Sequence, residues 1–451
     1  MSKSHSKSGK VGSLREWLKP QDISESTSVA QVPLNRYTPK DIHRIRVDNS
    51  DTIFSLTNQL EPCIQASTAF QDNLTIIDKD GKEVISFIKK IGTASAFGEA
   101  YLTTLTGRYE QLSIKIMDIN MPHYLEVQLL MKMATLVRLG ITPNMPLLHN
   151  VLECRKRSRT TIPSSKATIR MLTQNYYVIL NEIANGDLHD FFKEVRSEIE
   201  YESILFQIIF ALQAFHQLGY KHNDTHLGNF LWHQIVPGGY WQYEYKGTKF
   251  YVPNAGHLIV LWDPGLAKPI RRNRFMIQDI NSDFTNPIGL IYKIEGKSFY
   301  KQQNMKGIPM QNLLIDVIYE KMYLWLNQGL QSTSIRFMDY ILHLMKNGDL
   351  GVSHIRITPP DNDNDYIIND TPYPLEFTIS PPTASTPIVP TPPPAPVQAP
   401  PAPPPPAPVQ VAPPAPKPRA IRPSLSNIGE GALDRWRRAT ADVGLRRPTN
   451  K

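Results

Sequence analysis

The sequence predicts an α+β protein in two lobes, a strand-rich first half followed by a helical second half. Three observations carry this. From about residue 52, short β-branched runs alternate with Gly-centred turns. Beyond Gly186, apolar residues recur at helical spacing over long stretches. No solenoid-type repeat interrupts this order.

Taken in order, residues 1–48 are rich in Ser and Lys with little hydrophobic periodicity, and are expected to form a mobile, basic N-terminus. The N-terminal lobe, 49–183, holds the segments LTIIDKD, GKEVISFIKKIG and EAYLTTLTGRYEQLSIKIMD, each strand-like. A helix is expected over Tyr124–Leu139, with Leu125, Leu129, Met133 and Leu136 at helical spacing. Strands resume on either side of the basic run RKRSRTTIPSSKAT and end at YYVILNE. The C-terminal lobe, 184–357, is mostly helical, from DLHDFFKEVR and SILFQIIFALQAFHQLG to MQNLLIDVIYEKMYLWLNQ and SIRFMDYILHLMK. Residues 358–423 are Pro-rich and expected to act as an extended polyproline spacer. A basic tail, 424–451, places Leu433, Trp436, Ala439 and Val443 on one helical face.

With 451 residues the chain is long enough for one large two-lobed domain plus tails. The net charge of +8 is unevenly spread: residues 1–50 carry nine Lys/Arg against five Asp/Glu, and 417–451 carry nine against three. The intervening 51–416 hold 31 basic and 33 acidic residues. The basicity thus belongs to the ends, which argues against a nucleic-acid-binding core and leaves an acidic partner for the tails. Two cysteines, Cys63 and Cys154, are too few for a disulfide framework, which fits a reducing compartment. The opening MSKSHSKSGK has no apolar core of a signal peptide. The most apolar stretch, 203–220, is interrupted by Gln207, Gln213, His216 and Gln217, so no transmembrane segment is expected and an intracellular, soluble protein is.

Chemistry concentrates in HNDTHLGNFLW, residues 222–232, where Asn229 follows Asp224 by five positions. Further on, LIVLWDPG presents Asp263 at the end of an apolar strand. Phosphoryl transfer needs one carboxylate to orient the attacking hydroxyl and accept its proton. It also needs a carboxamide and a second carboxylate to hold the metal ions that neutralise the phosphates. Asp224 fits the first role, and Asn229 and Asp263 the others. Either motif alone is equally well a turn with a capping Asp. Both in this order, after a strand-rich half, point to a phosphotransferase using ATP and Mg2+.

On these residues the chain resembles the eukaryotic-type protein kinase superfamily, whose catalytic loop reads H-R-D with an Asn five residues after the Asp. The resemblance covers roughly residues 75–345 and implies a bilobal protein-kinase-like fold. IGTASAFGEAYL is similar to the glycine-rich loop, with Ile91 and Gly92 at one end, Phe97 at the tip and Gly98 at the other end. It departs from the family in lacking the middle glycine. IKIM resembles the V-A-I-K strand and offers Lys115 to the α- and β-phosphates, with Glu126 as its ion-pair partner. YYVILNEIANGDL looks like the hinge, with Leu180 as gatekeeper and the backbone of Asn181 and Ile183 facing adenine.

The departures narrow the resemblance. His226 stands where the family has a Lys, facing the γ-phosphate or simply packing. Such a D-x-H-x-x-N loop is shared with aminoglycoside and choline kinases and with haspin-type kinases. Between Asn229 and Asp263, GYWQYEYKGTKFYVPNAG reads as a hairpin turning at Lys246-Gly247. A similar hairpin is found in haspin and in kinases of large nucleocytoplasmic DNA viruses, iridoviruses among them, which would put the protein in the host cytoplasm or a virion. Asn223 replaces the Arg of H-R-D, Pro264 the Phe of D-F-G, and no Ser, Thr or Tyr lies between Asp263 and Asp279. The resemblance therefore implies a kinase not switched by phosphorylation of that segment. His222 is structural in the family. The expected activity is a serine/threonine protein kinase with a protein substrate. A small-molecule phosphotransferase and a pseudokinase scaffold are the alternatives, with an SH3- or WW-type partner for the Pro-rich run.

Overall fold

The computed structural model describes residues 34, 37–67, 74–95, 98–106, 111–155, 175–194, 196–306, 321–329, 335–360 and 365–377. The chain divides into two units, 1–381 and 382–451, and the described residues all belong to the first. Phe97, the basic loop at 156–174, the first half of MQNLLIDVIYEKMYLWLNQ, most of the expected N-terminus, most of the Pro-rich run and the basic tail lie outside them.

A 3-10 turn, Pro39–Asp41, leads into helix α1, Ile42–Thr57. Its buried residues, Ile42, Ile45, Arg46, Ser50, Ile53 and Thr57, form one helical face. Half of that face is polar, so the sequence shows no amphipathic stripe, and the expected boundary at residue 48 falls inside the helix.

Strands β1 (Gln65–Ala66), β2 (Leu74–Ile77), β3 (Glu83–Ser95), β4 (Gly98–Leu105) and β5 (Gln111–Asp118) follow. Helix α2 (Met121–Arg138) then connects to β6 (Leu148–Arg155) and β7 (Asn175–Asn181). The strands build one antiparallel sheet in the order β1-β2-β3-β4-β5-β7-β6. Its register runs Ile91 to Ala100, Ala100 to Lys115 and Lys115 to Ile179, so these side chains share one face. The opposite face is a separate apolar core of Ile76, Ile85, Ile114, Ile116, Val178 and Leu180.

Helix α2 starts where the Asn120 side chain accepts from the His123 amide at 2.9 Å. It begins three residues earlier than the sequence suggests, and the expected inward Leu125 is 49% exposed. The next residue, Glu126, is turned inward instead and is 1% exposed. The two cysteines also differ from expectation. Cys63 and Cys154 are joined in a disulfide, the fold bringing residues 91 apart in sequence to a Cα separation of 4.8 Å. Their small number therefore carries no information about the redox compartment.

The second half runs through β8 (Gly186–Asp187), α3 (Leu188–Phe191), α4 (Glu198–Gln217), β9 (Tyr220–Lys221) and a 3-10 turn at Leu227–Asn229. Next come β10 (Phe230–Gln234), β11 (Tyr240–Tyr245), β12 (Thr248–Pro253), β13 (His257–Leu261) and β14 (Lys268–Pro269). Helices α5 (Met276–Lys306), α6 (Leu324–Gly329) and α7 (Phe337–Asn347) and strand β15 (Tyr373–Pro374) complete it.

Helix α4 is the axis of this half. A capping box between Ser197 and Glu200 starts it, and every residue from Tyr201 to His216 is buried. Its polar side chains find internal partners: Ser203 donates to the Pro253 carbonyl at 2.7 Å and Gln213 to that of Leu375 at 3.1 Å. No described helix is long and apolar enough to cross a membrane. The β11–β12 hairpin turns at Lys246 and Gly247 with φ of 48° and 71°, the paired left-handed residues of a tight hairpin. β15 pairs in parallel with β11, so the fold continues beyond the expected boundary at 358.

Candidate active site

Lys115 projects from β5 between two acids. Its Nζ lies 2.6 Å from Glu126 Oε1 on α2 and 2.8 Å from Asp263 Oδ1 at the end of the β13 segment. The expected Lys115–Glu126 pair is therefore made, and Asp263 joins it. Burial would lower the Lys115 pKa, but Asp263 and Glu126 outweigh it and hold the ammonium charged. Burial pushes Glu126 up to about 7, only partly offset by Lys115, and leaves its Oε2 without a partner. Burial acts to raise Asp263, but the charge and hydrogen bond of Lys115, with His222 and the Gly265 amide, together keep its carboxyl below the ordinary range. Glycine makes room twice here, and is required at Gly98. A Cβ on Gly265 would come within 2.9 Å of Glu126 Oε2, and one on Gly98 within 2.6 Å of the Ile116 carbonyl at φ 141°.

The second corner is the loop from His222 to Asn229. The Asn229 amide nitrogen donates to the Asp224 carbonyl at 2.8 Å and to its Oδ2 at 3.1 Å. That leaves the amide oxygen of Asn229 for a cation. The Trp262 amide donates to the Asn229 carbonyl at 2.8 Å, which ties the loop to the residue preceding Asp263. One carboxamide oxygen and one ionised carboxylate are hard donors, a set that suits Mg2+ shared with phosphates. His226 Nδ1 accepts from the Gly228 amide at 3.1 Å, and its Nε2 lies 3.6 Å from Asp224 Oδ2. The His226 ring thus caps the turn with one nitrogen and faces Asp224 with the other. His222 is fully buried, and its Nε2 lies 2.8 Å from the Trp262 carbonyl. Burial lowers its pKa, and nothing about it suggests a base.

Two acids on α5 that sequence reasoning missed hold this corner in place. Asp283 accepts from the backbone amides of His222 at 2.6 Å and Asn223 at 2.8 Å, and its Oδ2 lies 2.9 Å from His216 Nε2. Thr225 Oγ1 donates to the Asp283 carbonyl at 2.7 Å. Among the described non-glycine residues, positive φ occurs at Asn223, Lys246 and Asp263. Lys246 belongs to the hairpin turn, so both others sit at the site, where surrounding bonds must hold such a backbone. One turn earlier, Asp279 Oδ1 is 3.1 Å from Lys221 Nζ and 2.6 Å from Arg271 Nη2, which fastens the segment after Asp263 to β9 and α5. The available signal for Asp283 is an acid set beside the buried Ile280 and Phe284 of one helical face.

At the hinge the expected gatekeeper is corrected. Leu180 lies in the core on the far face of the sheet from Lys115. Strand alternation puts Ile179 and Asn181 on the Lys115 face, with Asn181 fully buried and its Oδ1 unpartnered. Ile183 is half-buried just beyond the strand, Ile91 and Gly92 lie within β3, and Gly98 opens β4.

The described fold joins a seven-stranded antiparallel sheet to a mostly helical second half, with a Lys–Glu–Asp cluster drawn from both. The sequence matches no family model. It is similar to a protein of Frog virus 3 (isolate Goorha) named "Putative serine/threonine-protein kinase 019R", 30% identical over 135 residues. That stretch makes up 29% of this chain and only 15% of the relative. Among solved structures, the Cydia pomonella granulovirus kinase PK-1 is similar with a TM-score of 0.26 and 20% identity, over 41% of this chain and 55% of that one. A likeness of that size carries no site residue across. Both similarities are to viral proteins named as kinases.

Proposed function

We propose that the chain is an ATP-dependent serine/threonine protein kinase, moving the γ-phosphoryl group of Mg-ATP to a protein hydroxyl with Asp224 as the base. The observation that carries this reading is the Lys115 bridge, one buried ammonium between Glu126 and Asp263, beside a loop with the half-open carboxylate of Asp224. Lys115 attracts the α- and β-phosphate oxygens, and Asp263 with the Asn229 amide oxygen holds the metal. Bound magnesium supplies charge neutralisation on the phosphates. Asp224 orients the acceptor hydroxyl and takes its proton as the new O–P bond forms, while the electrons of the old bond leave with ADP. His226, whose Nε2 lies 3.6 Å from Asp224 Oδ2, would steady the γ-phosphate. The backbone of Asn181 and Ile183, with Ile91, Gly92 and Gly98 above, borders the nucleotide.

The segment after Asp263 is already fastened by Lys221 and Arg271 on Asp279. Together with Asn223 in place of an Arg, this favours an enzyme whose activity needs no phosphate on that segment. A second reading is a small-molecule phosphotransferase, favoured by His226 and the shortness of the same segment. An SH3- or WW-type partner for the Pro-rich run and an acidic partner for the basic tails extend the proposal, as does an intracellular location.

The test is transfer of radiolabel from γ-labelled ATP by the purified chain, beside Asp224→Ala. The acceptors are the chain itself, a basic protein and small aminoalcohols. Label on protein Ser or Thr that vanishes in the variant supports the kinase reading, and label on an aminoalcohol supports the second. Mg-ATP binding with no transfer to any acceptor would favour a scaffold and overturn both.

A further inference from the structure

We propose that Arg46, far upstream of the catalytic motifs, is a positioning residue that fixes the hinge for nucleotide binding, with α1 bracing the hinge against α2. This rests on the phosphotransferase reading above. Arg46 is 3% exposed, and its guanidinium is satisfied on several sides. Nε lies 3.0 Å from Glu182 Oε2 and Nη2 2.5 Å from Oε1, a two-pronged pair. Nη1 donates to the Pro143 carbonyl at 2.6 Å and Nη2 to that of Met145 at 2.8 Å. Glu182 is the residue between Asn181 and Ile183, and it also accepts from the Leu147 amide at 2.9 Å. The backbone expected against adenine is thus clamped from behind by a side chain from outside the sheet.

The same helix grips α2. A ring nitrogen of His43 lies 2.6 Å from the Val137 carbonyl, and Arg138 Nη2 donates to Ser50 Oγ at 2.7 Å. Asp51 pairs with Arg138 as well. Val137 and Arg138 close the helix whose second turn carries Glu126. One element therefore links the hinge to the helix that supplies the partner of Lys115. A helix serving only to cover apolar surface would not bury an arginine, since a buried charge is costly unless fully paired. Lysine cannot reproduce the fork.

The test is titration of Mg-ATP into the full chain as wild type, Arg46→Lys and Glu182→Gln. Melting temperature and amide exchange at Leu147 and Glu182 are measured in parallel. Arg46→Lys keeps the charge, and Glu182→Gln keeps the shape if the first variant folds poorly. Both are expected to bind Mg-ATP about tenfold more weakly, the loss of roughly one charge-assisted hydrogen bond's worth of order, with faster exchange at Leu147. Variants that melt lower yet bind with wild-type affinity would overturn the proposal and leave Arg46 a purely structural residue. Wild type that binds no Mg-ATP overturns the phosphotransferase reading itself, a failure visible before any substitution is made.

Discussion

Lys115, Glu126 and Asp263 come from a strand, a helix and the end of another strand, and burial makes their charges depend on one another. Asp224, His226 and Asn229 instead lie within one short loop, where Asp224 and His226 stay open to solvent. The first corner is assembled by tertiary packing and held by electrostatics in a poorly solvated place. The second is set by local backbone, and that backbone is secured from beneath by Asp283. The corners should therefore fail differently: the buried one to changes of pH and charge, the open one to loss of an anchor.

The largest effect is expected from the anchor. Asp283→Ala leaves the His222 and Asn223 amides and His216 without their acceptor, and should cost ~3–5 kcal/mol in denaturant unfolding. Phosphoryl transfer should be lost with it. A variant of wild-type stability would mean that the loop holds its own shape, and the contrast between the corners would collapse.

Next comes a contrast in pH dependence. Glu126 is raised by burial to about 7 from its ordinary 4.5. Its contribution to stability is present below pH 4.5 and lost as the pH rises through about 7. Glu182 goes the other way: burial would raise it, but Arg46, with His233 and the Leu147 amide, holds it at about 2. Its contribution is present above pH 4.5 and lost as the pH falls towards 2. The expected result is that Glu126→Gln flattens the limb between pH 4.5 and 7, and Glu182→Gln the acid limb, each worth on the order of 3 kcal/mol. Unfolding free energies measured across pH 3–8 check both, and one limb responding to the other substitution would contradict the assignment.

The smallest effect belongs to the segment after Asp263. Arg271 is half-exposed in its pair with Asp279, so Arg271→Ala should leave stability nearly unchanged. It should still loosen the segment and lower transfer, measured as the initial rate, without any phosphate being present there. Restored activity on phosphorylating the purified chain would contradict a segment fastened by fixed charges.

What was legible in the sequence follows the same division. Asp224 and Asn229 are readable because their relation is local, five positions along one loop. The hairpin is readable because Lys246-Gly247 is a turn whose chemistry lies in two adjacent residues. Glu126 could be paired with Lys115 through family resemblance, although Leu125 was the more natural residue to turn inward by hydrophobicity. Asp283 and Arg46 leave almost no trace, because their partners lie 61 and 136 residues away and their meaning exists only in the folded chain. α1 was hidden because Arg46, Ser50 and Thr57 interrupt its apolar face. Leu180, the gatekeeper that the hinge resemblance implies, faces away from Lys115, because in a strand each step of one residue exchanges one face of the sheet for the other.

The division of labour between the corners is tested most directly by measuring Mg-ATP affinity and phosphoryl transfer in Asp224→Asn and Lys115→Met. Asp224→Asn should bind Mg-ATP as wild type does and lose about 10²–10⁴-fold in transfer, while Lys115→Met should lose affinity for the nucleotide. Transfer at the wild-type rate by Asp224→Asn would contradict Asp224 as the base.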